Sequence, residues 1–121
     1  MTLNEYQEKA MVTCLPSCKN EIYAINGLMA EVGEINDKIA KGVRKGILRI
    51  DNNHLVWSTS NEEEVAEYRK ELILEVGDCQ WMLALLSQLL GYTLDEMAMA
   101  NIEKLRDRAT RGVIVGSGDH R

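Results

Sequence analysis

Two short stretches of this chain carry the same chemical theme. Leu28-Met-Ala-Glu31-Val-Gly-Glu34 and Leu72-Ile-Leu-Glu75-Val-Gly-Asp78 coincide at Leu, Glu, Val and Gly, and each sets two carboxylates three residues apart. On a helix that spacing puts the pair side by side, about 5–6 Å between Cβ atoms, where like charges oppose helix formation. Each copy also holds a mid-helix glycine, Gly33 or Gly77. A glycine there costs about 1 kcal/mol relative to alanine, and close approach of the two helices is the expected compensation. If the segments pack antiparallel, four carboxylates meet at one site that is nearly water-free beneath and open above. They cannot all stay ionised unpaired. A hard divalent cation resolves the conflict: Mg²⁺, with Mn²⁺ as a substitute, takes oxygen ligands in an octahedron, keeps some waters and accepts phosphate oxygens. Metal: Glu31, Glu34, Glu75, Asp78 is thus the expected ligand set.

Two rival readings stand beside this one. Glu is common on solvated helix faces, and an acidic chain has many such residues. Against that, Glu75 and Asp78 sit in the most apolar run of the chain, among Leu72, Ile73, Leu74, Val76, Trp81 and Met82, where carboxylates are seldom left without partners. A carboxylate-bridged di-iron bundle wants Glu-x-x-His pairs, and the two histidines, His54 and His120, lie elsewhere.

The bulk properties bound the rest. At 121 residues one domain is the default, long enough to bury a core without disulfides. A net charge of -5 argues against a nucleic-acid polymer as partner, since that affinity comes largely from Lys and Arg. It leaves a free nucleotide open, because a bound metal and a few cations can hold one triphosphate. Cys14, Cys18 and Cys79 are an odd number with no secretory leader at Met1, which points to the reducing cytoplasm. Cys14 and Cys18 lack the further ligands of a zinc set. The run from 72 to 90 contains Glu75, Asp78 and Gln80 and is expected as a core helix, with no membrane as partner.

The elements that must position the acids follow from caps and periodicity. Thr2 with Glu5, Ser60 with Glu63, and Thr93 with Glu96 have the form of capping boxes. A first helix is expected from Leu3 to about Cys14, ended by Pro16. A second, capped by Ser17, carries Ile25, Leu28, Val32, Ile35 and Ile39 at steps of three and four and ends near Gly42. Ile47 to Ile50 and His54 to Trp57 around Asp51, Asn52 and Asn53 predict a β-hairpin. A third helix is expected over 62–90, stopping at Gly91, and a fourth over 94–110. The fold class is therefore all-α: a four-helix bundle-type domain over 1–112, with a short β-hairpin insertion, about 43–59, between the second and third helices. Residues 113–121, poor in apolar surface, are expected as a flexible tail. Aromatic residues make up 5 % of the chain and Phe is absent. Such aliphatic helices often bury surplus apolar stripes in a homo-oligomer.

In their order, Leu3-Asn-Glu-Tyr6-Gln7, Gly27-Leu28-x-x-Glu31-x-Gly33-Glu34, Glu71-Leu72-x-x-Glu75-x-Gly77-Asp78 with Trp81, and Asn101-x-x-Lys104-Leu105-x-x-Arg108 give the chain its strongest likeness. It resembles the MazG-like branch of the all-α nucleoside triphosphate pyrophosphohydrolases, a group that includes dimeric dUTPases and phosphoribosyl-ATP pyrophosphatases. The resemblance implies hydrolysis of (d)NTPs between the α- and β-phosphates to (d)NMP and pyrophosphate. It also implies Mg²⁺ on the four carboxylates and a homodimer or homotetramer. The connection from Glu34 to Glu75 is longer than in compact members, by the hairpin.

For that chemistry the catalytic set is Glu34, Glu31, Glu75 and Asp78, with Glu34 the candidate general base toward a metal-bound water. Glu71 is either an outer ligand or a plain surface residue. Lys38, one turn after Glu34, either touches a phosphate or pairs with the carboxylates. Asn101, Lys104 and Arg108 can point at one place; spacing alone favours a solvated helix end, and the resemblance assigns them to substrate. Tyr6, Trp57 and Trp81 are the aromatics available to a base, with Trp81 the substrate-binding candidate. The alternatives are a helical interaction module without catalysis and, within the same fold, phosphoribosyl-ATP hydrolysis.

Overall fold

In a computed structural model, which describes residues 1–120, four helices and one hairpin follow in order. They are α1 (Leu3–Met11), α2 (Glu21–Arg44), β1 (Leu48–Asp51), β2 (His54–Trp57), α3 (Glu62–Leu89) and α4 (Leu94–Thr110), with a 3₁₀ turn at Pro16–Cys18. Capping boxes form at Thr2 with Glu5 and at Thr93 with Glu96. At α3 the cap is Asn61, not Ser60: its Oδ1 accepts the N–H groups of Glu63 (3.1 Å) and Glu64 (3.2 Å). Asn20 likewise displaces Ser17 as the cap of α2, accepting the Tyr23 N–H at 2.8 Å, while Ser17 lies inside the 3₁₀ turn that Pro16 opens. Helix α1 stops short of Cys14. The carbonyl of Ala10 is taken by the Thr13 hydroxyl (2.7 Å) and the Trp81 indole N–H (3.2 Å), and Thr13 and Cys14 close i→i+3 turns instead.

The long pair α2 and α3 runs antiparallel: Gly27 lies against Met82 and Gly42 against Tyr68, with Lys38 between them reaching Glu71 and Glu75. A Cβ on Gly27 would stand 2.5 Å from the Met82 sulfur, so this glycine permits the close approach. Gly33 and Gly77, expected to do so, face open space: among the described residues nothing would lie within 4 Å of a Cβ there. Below the acids, α1 closes the pair. The core there gathers Met11, Cys14, Ala24, Ala84, Leu85 and Leu94. Buried Gln7 ties three helices together: its amide donates to the carbonyls of Ala84 (3.1 Å) and Tyr92 (3.3 Å), and its oxygen accepts the Leu94 N–H (2.9 Å).

The hairpin closes the opposite end. Leu48 pairs with Trp57 and Asp51 with His54, around Asn52 (φ 47°) and Asn53 (φ 64°), left-handed values that asparagine tolerates and a two-residue hairpin turn requires. Leu48 is its buried anchor, 2 % exposed, seated over Gly42 beside Tyr68, whose hydroxyl donates to the Lys38 carbonyl. Trp57 packs edge-on against Tyr68 at 6.3 Å, with Arg69 over its face at 5.2 Å.

Much apolar surface remains outside. The chain exposes 8678 Å², where a compact protein of 13.7 kDa is expected to expose about 6,600 Å². Ile22, Ile25, Met29 and Val32 line the open side of α2, and Ile73, Val76 and Leu83 that of α3. Helix α3 is by length and composition apolar enough to cross a membrane, but it lies along α2 and turns carboxylates toward that helix.

Of the tail read as flexible over 113–121, Gly118 and Asp119 lie against α4, while Arg121 lies outside the described residues. Asp119 meets Lys104 at 3.3 Å and Arg108 at 3.0 Å, and Arg108 also donates to the Gly118 carbonyl. The contacts are ionic and polar, which an argument from missing apolar surface does not weigh.

A methyl group at position 42 would stand 2.8 Å from both the Leu48 side chain and the Tyr68 hydroxyl. Gly42→Ala is therefore expected to lower stability by about 1–3 kcal/mol by overpacking. Thermal denaturation reads the loss, and the emission of Trp57 reports the lifted hairpin.

Candidate functional site

The acids meet on the seam between α2 and α3. One carboxylate oxygen from each of Glu31, Glu75 and Asp78 lies within 4.8 Å of the others. Glu31 and Glu75 are half-buried and Asp78 is exposed. Glu34 is exposed one turn past Glu31 and stands outside the triad, near enough for its charge to act on Glu31. Of the four acids read from the sequence, three converge and the fourth flanks them.

Crowding marks the site electrostatically. Burial, then the charges of Asp78, Glu75 and Glu34, hold the Glu31 carboxyl above its ordinary range. Burial together with Glu31, Asp78 and Glu75 pushes the nearby Cys79 thiol up as well. The pKa of Tyr6 on α1 is raised by burial and by the charge of Asp78. Lys38 answers the excess charge. Its ammonium lies 3.4 Å from Glu75 and 3.6 Å from Glu71. Burial pulls its pKa down, and the hydrogen bond to Glu75 with the charges of Glu71 and Glu75 more than reverses this, leaving it raised.

The donor set suits a hard cation. All three converging donors are carboxylate oxygens, the sulfur of Cys79 is kept protonated, and no histidine takes part. Around Mg²⁺ at about 2.1 Å, ligand oxygens stand about 3.0–4.2 Å apart, so the triad needs only slight contraction to share one ion. The exposed edge at Asp78 leaves room for waters and phosphate oxygens.

Two clefts border the acids. One, about 350 Å³, is lined by Thr13, Tyr23, Glu31, Asp78, Trp81 and Met82. The other, about 590 Å³, shares Tyr23, Glu31 and Met82 and adds Asn26 and Gly27. Trp81 is fixed there by its N–H bond to the Thr13 hydroxyl at 2.9 Å, so it serves core and cleft together. Tyr23 is the residue that reading the sequence missed. The signal was present: Tyr23, Gly27 and Glu31 recur at steps of four, which is one helix face. Trp57 belongs to the hairpin, and no hairpin residue lines either cleft.

The α4 group is placed elsewhere. Asn101 and Lys104 line a separate groove with Ser87, Leu90, Tyr92 and Met97. Arg108 is buried against Asp119 and Gly118, and among the described residues its Nε has no partner. None of Asn101, Lys104 and Arg108 lines the clefts at Glu31.

A raised carboxyl binds its proton more tightly in the folded chain than in the unfolded one. Its contribution to stability is therefore full below the ordinary glutamate range and is lost as pH rises through the higher folded value. Glu31→Gln is expected to raise the melting temperature of the metal-free protein at neutral pH by a few degrees, to flatten its decline above the ordinary glutamate range, and to abolish stabilisation by Mg²⁺. Melting curves across pH, with and without Mg²⁺, check all three.

Residues 20–113 match the family model described as the MazG nucleotide pyrophosphohydrolase domain. The chain is also similar to the Gene 37 protein of Mycobacterium phage L5, at 37% identity over 99 residues, which span 82% of this chain and 75% of the phage protein. No solved structure matches it.

Proposed function

The chain belongs to the MazG nucleotide pyrophosphohydrolase domain family, and on that footing we propose that it hydrolyses (d)NTPs between the α- and β-phosphates. The products are (d)NMP and pyrophosphate, the reaction is Mg²⁺-dependent, and its role is house-cleaning of the nucleotide pool in the cytoplasm. The observation that carries this reading is the convergence of Glu31, Glu75 and Asp78 within 4.8 Å, beside a cleft walled by Trp81 and Tyr23.

A divalent ion held there neutralises polyphosphate charge and makes a bound water acidic. Glu31, Glu75 and Asp78 would hold that ion, and Glu34 would complete the set from the exposed side. Being outside the tight triad, Glu34 is our choice to accept the proton of the attacking water. Trp81 and Tyr23 offer flat walls to the base. Lys38 is assigned to the phosphates once it leaves the acids. The resemblance gives Asn101, Lys104 and Arg108 a substrate role, but in the single chain they stand away from the clefts at Glu31, and Asp119 must yield both cations before a phosphate can take them.

We further propose that the protein works as a homodimer or homotetramer. Its accessible surface exceeds the compact expectation by about 2,000 Å², an excess on the scale of an obligate interface. The exposed stripes of α2 and α3, with Gly33 and Gly77 beside Val32 and Val76, offer a second copy a smooth apolar face.

Incubation with a panel of (d)NTPs and Mg²⁺ is expected to release pyrophosphate and no orthophosphate. Glu75→Gln should keep the fold and lower kcat by about a hundredfold or more, as loss of a metal ligand does. Orthophosphate release, or wild-type turnover by that variant, would refute the assignment. Turnover confined to phosphoribosyl-ATP would move the protein to that branch, and no turnover of any nucleotide would favour the interaction module. Met29 is 70% exposed in the single chain, so Met29→Lys should leave the protomer stable within about 0.5 kcal/mol and shift sedimentation to a smaller species.

A further inference from the structure

We infer that Lys38 is the resident counter-ion of the acid site, a cation that a divalent ion has to displace and that thereby sets the metal affinity. The inference rests on the proposed metal-binding reading and concerns its regulation. Lys38 projects from α2 and reaches across the seam to Glu75 (3.4 Å) and Glu71 (3.6 Å), both on α3. Its side chain is 27% exposed and that of Glu75 18%, so the pair is partly shielded from solvent and salt. Its helical neighbour Asp37 is already engaged by Lys41 and does not draw it away.

Glu75 is thus shared between two cations in prospect. A Mg²⁺ ligated at about 2.1 Å by the Glu75 oxygen that Lys38 meets would stand no more than about 5.5 Å from an ammonium left in place. At that range a double and a single positive charge repel, even in a partly shielded site. The ammonium has a way out, because lysine carries a compact charge on four flexible methylenes. Lys38 therefore stabilises the empty seam against the mutual repulsion of the acids and yields to the metal.

Calorimetric titration of the purified protein with Mg²⁺ alone tests this. Lys38→Met should bind Mg²⁺ about tenfold more tightly than wild type, a coupling of ordinary size, and should melt lower when metal-free. A second measurement uses the unaltered protein: saturating Mg²⁺ should speed acylation of Lys38 by an amine-reactive reagent severalfold, read by mass spectrometry, and leave Lys41 unchanged. If wild type binds Mg²⁺ while Lys38→Met binds it equally or less well and labelling does not respond, the counter-ion role is overturned and the metal site stands. If wild type takes up no Mg²⁺, both fall. Should the variant not fold, the labelling result decides alone.

Discussion

Mutual repulsion among the carboxylates of Glu31, Glu75 and Asp78 is the constraint around which this protein is arranged. Three like charges within 4.8 Å do not gather unaided, so other contacts must hold α2 and α3 together. At one side of the acids Gly27 lets Met82 against the α2 backbone, and at the other Tyr68 bonds the Lys38 carbonyl. Between these contacts Lys38 bridges the seam. Gln7 secures the lower closure by satisfying backbone groups from α3 and α4 at once. A buried side chain with three such bonds is costly to replace, because each lost bond strands a partner.

The site is shallow, and this follows from how little core the chain has. Apart from Leu48, Tyr68 and Met82, the buried apolar residues form one cluster beneath the acids. The aliphatic residues nearest Glu75, namely Ile73, Leu74 and Val76, are exposed at 61%, 59% and 45%. The low dielectric that would sharpen electrostatic attraction at the acids is therefore only partly present in a single chain. Covering the open face would deepen the site as well as bury apolar area, so the proposed assembly would act on the chemistry through the same side chains.

Much of this was legible because it is local. Thr2 and Thr93 cap as their spacing with Glu5 and Glu96 requires, and Asn52-Asn53 turns the hairpin as expected. The paired acids read as one helix face each, and their meeting needed only antiparallel packing. What the sequence hid depends on competition or distance. Asn61 and Asn20 won their caps over Ser60 and Ser17 because each stands nearer the first helical turn that forms. The close-approach glycine proved to be Gly27, which lies outside the repeated motif, since the choice depends on how α2 is rotated against Met82. Whether Lys38 pairs with the carboxylates or is left for a phosphate was open until α3 was in place. The hold of Asp119 on Lys104 and Arg108 is a long-range ionic contact with no periodic trace.

The hairpin sits where α2 turns back toward α3, seated by Leu48 over Gly42 and by Trp57 against Tyr68. Its tip, Asn52-Asn53, projects from a two-residue turn with every flanking backbone pair already made. Loop length at that tip is thus uncoupled from the geometry of the seam. Chain can be added there at little thermodynamic cost, since closing a longer loop costs only about 0.6 kcal/mol per doubling. This makes the tip a natural point for lineages to diverge in size, and a practical one for grafting an epitope or a fluorophore.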